Sequence, residues 1–166
     1  PAEGGDAGDP SAPEPLAIAG TEGMLVSYAR CCFPVPGDPV LGFMSAGRGL
    51  IVHREDCANT DDYLKHPENW LPVVWAPKIE RLFGVELRLE VANRVGVLAG
   101  IAAAIAGTDT NIDNVDLQER DPQTSSLVVE VRVRDRRHLA DVIRVVRRMP
   151  DVLRLSRTLA TRTRDE

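Results

Sequence analysis

Asn93-Arg94-Val95-Gly96-Val97-Leu98 sits where an alternating strand pattern hands over to a helical repeat. A loop of that kind suits a carboxylate. The helix start offers unpaired backbone N–H groups and a positive dipole end, and Gly96 has no Cβ to block a ligand. The other group able to do chemistry is the cysteines, Cys31, Cys32 and Cys57. Their odd number, with no secretory signal before them, favours a reduced, cytosolic compartment, with metal binding or plain burial ahead of disulfides. No catalytic set accompanies either group. His53, His66 and His138 are scattered, with His138 expected on the surface near a helix start. A phosphate-cradling glycine loop followed by Lys-Ser/Thr does not occur. The expectation is a sensor or docking module, not an enzyme.

The elements that must position these residues follow from periodicity. Residues 1–15 are Pro, Gly, Ala and acids with almost nothing to bury, and read as a flexible linker. Residues 16–78 read as a small strand-rich α+β module. Strands are expected at Met24–Tyr28, Val40–Met44, Leu50–His53 and Leu71–Trp75, with a hairpin turn at Ser45–Gly49 and helical turns over Arg54–Thr60. Three prolines make residues 33–39 an irregular turn. Residues 79–166 carry a complete βαββαβ pattern. Val85, Leu87, Leu89 and Val91 alternate with charged residues, and so do Leu127, Val129, Val131 and Val133. Val97, Leu98, Ile101 and Ile105 keep helical spacing up to a stop at Gly107. Asn111–Gln118 is a strand whose apolar parity shifts between Ile112 and Val115, which predicts a bulge. Leu139, Val142, Ile143, Val146 and Met149 share one helix face, with Asp135 as N-cap and Pro150 as terminator. Leu153, Leu155 and Leu159 belong to a last strand. Two helices on one face of a four-stranded antiparallel sheet is the ferredoxin-like arrangement, so the fold class is α+β.

The net charge of −5 argues against bulk affinity for nucleic acid, but it is unevenly spread. Residues 1–78 hold 5 basic and 11 acidic side chains, and residues 79–166 hold 15 and 14. The basic run Arg132, Arg134, Arg136, Arg137, Arg144, Arg147 and Arg148 raises the question of an RNA-recognition domain, which shares this topology. Such domains stack bases on strand aromatics, yet residues 84–166 contain no Phe, Tyr or Trp. Base stacking on this sheet is therefore not expected, and a solvated face is the simpler reading. No apolar stretch is long enough to span a bilayer. The chain opens on Pro1, and the expectation is an excised piece of a longer protein.

Two stretches resemble a known family. Tyr28-Ala29-Arg30-Cys31-Cys32-Phe33-Pro34-Val35-Pro36-Gly37-Asp38-Pro39, followed by residues 47–57 (GRGLIVHREDC), resembles the conserved-cysteine module of the RelA/SpoT family, the stringent-response enzymes that make and hydrolyse (p)ppGpp. The βαββαβ unit is similar to the ACT domain at the C-terminus of those proteins. The resemblance implies the regulatory tail of a bifunctional synthetase/hydrolase, a GTP pyrophosphokinase type of protein, with its catalytic domains upstream and not in this chain. It also implies that the tail senses amino-acid starvation, contacts the ribosome and tRNA, and restrains or releases the catalytic half.

It further implies three sites. Cys31, Cys32, His53 and Cys57 match a zinc-finger ligand set. The His53-x-x-x-Cys57 spacing suits one ion, but adjacent Cys31 and Cys32 reach one ion only if the backbone turns between them. The competing reading is small buried hydrophobes. Arg30, Arg48, His53 and Arg54 are RNA contacts, with Arg48 in a glycine-flanked turn open to a phosphate. Asn93, Arg94, Val95, Gly96, Val97 and Leu98, with Asn111, Ile112 and Asp113 of the second strand, often a dimer partner's, form an amino-acid site whose apolar lining favours a branched-chain effector. The competing reading is that Asn93 and Gly96 only turn the chain. A four-stranded sheet with open edges is expected to pair as a homodimer. The rival function is a ribosome-docking RNA-binding module without a small-molecule ligand.

Overall fold

Alternating apolar residues build the larger sheet as the periodicity predicts. The computed structural model describes residues 17–160, so the linker expected over 1–15 lies outside the described residues. β1 (Val26–Tyr28), β2 (Val40–Ser45), β3 (Gly49–Arg54) and β4 (Trp70–Pro72) form one sheet in the order β1-β3-β2-β4. The expected hairpin is β2 with β3, closed at Ser45 and Gly49. β4 is shorter than expected. Pro72 has no N–H to extend a ladder, and the chain leaves the sheet to make a single bridge between Trp75 and Ile18. Arg54 belongs to β3. The helical turns expected to start there come later, as a 3-10 turn at Ala58–Asp61 and α1 (Asp62–Lys65).

β5 (Phe83–Ala92), α2 (Val97–Ala106), β6 (Asn111–Glu119), β7 (Thr124–Val133), α3 (Arg136–Arg147) and β8 (Val152–Arg157) complete the ferredoxin-like unit. Its antiparallel sheet runs β6-β7-β5-β8. Val85, Leu87, Leu89 and Val91 of β5 and Leu127, Val129, Val131 and Val133 of β7 are buried against Ile101, Ile105, Leu139, Val142 and Val146 of the helices. Each such side chain contributes about 1.5–3 kcal/mol by leaving water. The bulge falls where β6 slips register against β7, between Ile112 and Asn114. Asp135 caps α3 by accepting from the His138 N–H at 2.8 Å. No helix among the described residues is long and apolar enough to cross a membrane.

One local expectation holds and two are corrected. Gly107 stops α2 as its C-cap, in right-handed backbone at φ −64°, and the left-handed residue is Asp109 at φ 58°. Asparagine and aspartate tolerate that conformation better than most side chains. His138 is not on the surface. It is buried at 4% exposure, its Nδ1 accepts from the Arg134 N–H, and its Nε2 faces Thr108 O and Thr110 Oγ1 at 3.0 and 2.9 Å. The ring ties the start of α3 to the loop before β6. Leu159 lies beyond β8 and packs on the cysteines rather than on the main core.

The two sheets meet through aromatic rings. Tyr28 and Trp75 stack with centroids 6.0 Å apart, and both meet Phe83 edge-on at 5.3 and 5.5 Å. The Arg81 guanidinium lies 5.0 Å from the Tyr28 centroid and 4.9 Å from that of Phe83.

Candidate functional site

The backbone does turn between the adjacent cysteines. Phe33 N–H bonds back to Ala29 O at 2.9 Å, and Phe33 itself stands at φ 46°, a conformation costly for a bulky residue. That turn brings both sulfurs to one side. β3 delivers His53, and a turn closed by Cys57 N–H to Arg54 O returns Cys57 to it. The four ligand atoms lie within 4.8 Å of one another. Cys31 Sγ is 3.9 Å from Cys32 Sγ, 3.5 Å from Cys57 Sγ and 3.4 Å from His53 Nδ1, and Cys32 Sγ is 4.0 Å from the same nitrogen. With Zn–S near 2.3 Å and Zn–N near 2.0–2.1 Å, a tetrahedron needs S–S edges of about 3.8 Å and S–N edges of about 3.5 Å. The donor set and its spacing therefore fit one zinc ion.

The surroundings also fit. Burial pushes the His53 imidazole down, toward the neutral form a metal needs, and the Cys32 and Cys57 thiols up, so an ion would have to displace their protons. The Arg54 N–H donates to Cys32 Sγ at 3.3 Å, the kind of bond that steadies a thiolate ligand. The His53 ring packs on Trp70, and Leu159, Ala160 and Ile51 cover the sulfurs.

The expected RNA contacts separate. Arg48 sits in the β2–β3 turn with its N–H on Ser45 O, and Arg30 is exposed with a 3.7 Å contact to Glu130. His53 is buried, at 9% exposure. The Arg54 side chain is only 14% exposed, with Nη2 on Asp56 at 2.6 Å. These two are packed inside the module and do not present a face to a phosphate backbone.

The expected amino-acid residues separate as well. Gly96 stands at φ +85° before α2, with open space where a Cβ would be. A cavity of about 70 Å³ lies beside it, lined by Asn93, Arg94, Val97, Leu98, Leu117 and their neighbours. Within the same chain Asn111, Ile112 and Asp113 are not there. β6 runs parallel to β5, with Asn111 opposite Arg132 and Arg132 opposite Gly84, so these residues occupy the far end of the sheet. Asp113 pairs with Arg132 instead, and Leu117 takes the place assigned to Ile112. The Asn93 side chain is already used: its Nδ2 donates to Asp121 O at 3.2 Å and its Oδ1 accepts from Ser125 Oγ. The chain-turning role is in place, and the oxygen keeps one lone pair free.

One buried ion pair had no sequence signal. The Arg157 guanidinium grips the Asp38 carboxylate with both Nη atoms, at 3.0 and 2.5 Å, and donates to Phe33 O at 2.8 Å. Asp38 also accepts from the Val35 N–H at 2.9 Å, and its carbonyl takes the Trp75 indole. Gly37 lets α3 approach: a Cβ there would sit 3.0 Å from Arg136 Cβ, and φ is +99°. The segment read as an irregular turn is thus the joint between the sheets. Beyond it, Ala160 N–H bonds Cys31 O and Ala58 N–H bonds Ala160 O, which ties the end of the second unit to the cysteine loops.

Two family models match the chain. Residues 16–76 match the RelA/SpoT RIS domain and residues 80–157 match the ACT domain. Over 156 residues the chain is 39% identical to the bifunctional (p)ppGpp synthase/hydrolase SpoT of Escherichia coli K12, covering 92% of this chain and 22% of that protein. A GTP pyrophosphokinase of Streptomyces coelicolor is 33% identical over 147 residues, covering 89% of this chain and 17% of that protein. The ACT domain from the GTP pyrophosphokinase of Chlorobium tepidum superposes with a TM-score of 0.41 at 21% identity, covering 46% of this chain and 97% of that structure. The chain spans about a fifth of the length of the two full-length relatives. Neither matched domain is a catalytic one. With a RIS domain followed directly by an ACT domain and this degree of identity along both, the chain belongs to the RelA/SpoT family.

Proposed function

We propose that this chain is the regulatory segment of a protein that makes and hydrolyses (p)ppGpp. Its ACT half senses a branched-chain amino acid and biases catalytic domains carried elsewhere in the full protein. The observation that carries the reading is uncovered apolar surface around the Gly96 loop. Val95 is fully exposed and Leu98 and Leu117 are about half exposed beside a cavity of about 70 Å³. That volume is far below the roughly 300–1,000 Å³ of an ordinary ligand site. β6, on the adjacent edge, has exposed residues along almost its whole length. The site is completed by a second copy whose free edge covers the loop, which makes the working form a homodimer.

Valine, isoleucine or leucine at ten times its dissociation constant should stabilise the chain by about 1.4 kcal/mol, read as a rise in melting temperature. Gly96→Asn tolerates the left-handed backbone but fills the open space, so it should keep the parent's melting temperature and lose the ligand shift. Absence of any shift with the parent at millimolar amino acid would remove the sensor reading.

The RIS half holds one zinc ion through Cys31, Cys32, His53 and Cys57. The ion would supply a closed, rigid coordination link between two loops and β3. A second reading, docking to the ribosome or tRNA, is favoured by Arg48, which projects from a tight turn with no carboxylate partner among the described residues. Arg48→Glu should weaken RNA association and lower its salt slope by about one, while folding stability changes by less than about 0.5 kcal/mol. Equal binding by variant and parent across a salt series would take Arg48 out of that surface.

A further inference from the structure

The joint between the two sheets leaves an open cleft of about 790 Å³, within the size range of small-molecule sites. Its floor is apolar: Pro36, Trp75, Pro77, Ile79 and Ala140. The Trp75 ring is held in place by its indole bond to Asp38 O and by stacking on Tyr28. One wall carries Arg134, Arg136 and Arg137.

These guanidiniums are poorly neutralised. Arg134 has a 3.4 Å contact to the highly exposed Asp109. Arg136 lies 3.9 Å from Asp38, whose carboxylate is already held by Arg157 at 2.5 Å. Arg137 has no carboxylate partner among the described residues. Asp135 in the same wall accepts the His138 N–H and keeps its charge, so the wall sets three cations against one carboxylate. The three arginines also gather at the start of α3, where the helix dipole is positive and cations are disfavoured. The Arg136 N–H is taken by Pro36 O at 2.8 Å, so the backbone does not create an anion site by itself. In a chain of net charge −5, a local cluster of cations with the wrong sign for its helix calls for an anionic ligand.

We propose that this cleft binds a nucleoside phosphate. Guanidinium groups pair with phosphate oxygens bidentately, and the proline and tryptophan floor takes a flat apolar ring. The arginines take the phosphates and the proline and tryptophan floor takes the ring, so the site recognises phosphate and ring without choosing the base. A ligand there touches both units at once, through Trp75 on one side and α3 on the other.

Calorimetric titration of the full chain with GDP, ADP, guanosine and inorganic pyrophosphate tests the assignment. GDP and ADP should bind within about threefold of each other, because every base offers a flat face. Both should bind at least about tenfold more tightly than guanosine or pyrophosphate, since each of those lacks half the contacts. Binding should quench Trp75 fluorescence, while Trp70, 5% exposed, stays unaffected. The double variant Arg134→Gln/Arg137→Gln changes only exposed side chains, so it should melt like the parent and lose at least about tenfold in affinity for GDP. Lys65→Gln, in α1 and outside the cleft lining, should bind GDP as the parent does. Failure of GDP and ADP to bind, pyrophosphate binding as tightly as GDP, or undiminished binding by the double variant would each overturn the proposal.

Discussion

Asp38→Ala should destabilise the chain by about 3–5 kcal/mol, the cost of leaving one charge of a buried pair without its partner. The Asp38 and Arg157 side chains are 3% and 13% exposed, so solvent cannot replace the lost carboxylate. Arg157 Nε is already buried without a hydrogen-bond partner, which leaves the guanidinium no reserve. One further bond goes with the carboxylate, that from the Val35 N–H at 2.9 Å, whereas the Trp75 indole bond to the Asp38 carbonyl and the Arg157 bond to Phe33 O do not need the side chain. Chemical denaturation should report the loss as a lower midpoint. The slope should also fall if the two sheets then unfold separately. Replacing both residues with apolar side chains of similar size should cost less than either single change. A loss below about 1 kcal/mol for Asp38→Ala would mean that the pair behaves as an exposed one.

Metal analysis of the purified chain should find about one zinc, and removing it with a chelator should cost about 3 kcal/mol or more. For a chain of this size that is a fall of about 6–12 °C in melting temperature. Uptake should release up to about three protons, one for each thiol that becomes a thiolate ligand. Cys57→Ser should bind zinc weakly and melt like the chelated parent. The loss should extend past the cysteines, because Ala160 N–H is bonded to Cys31 O and Ala58 N–H to Ala160 O. Hydrogen exchange at Ala58 and Ala160 should therefore quicken on chelation. A metal-free chain with an unchanged melting curve would leave the cysteines as buried hydrophobes.

Local patterns carried most of the fold. Val85 through Val91 alternates because one face of β5 is buried, and that fact is written into neighbouring positions. Asp135 is three residues from the N–H it caps, so its role was legible, and the parity shift after Ile112 announced the bulge. The Cys31, Cys32, His53 and Cys57 set was legible as donor types, and the resemblance of residues 28–57 and 79–159 to known domains supplied a family.

Long-range geometry was not legible, and it decided which site residues meet. Asp38 and Arg157 lie 119 positions apart, and nothing near either one marks the other as its partner. His138 looked like a surface histidine because its partners, Thr108 and Thr110, come from another loop. Asn111 to Asp113 looked adjacent to the Gly96 loop until strand direction put them at the opposite end of the sheet. The turn that aims Cys31 and Cys32 together depends on Phe33 at positive φ, held by Arg157 from the other unit. Periodicity and capping act within a few residues, so most elements, their buried faces and the family could be read along the chain. The cysteine cluster, the Asp38–Arg157 joint and the arginine-walled cleft could not, because each is made by side chains that meet after the chain has folded.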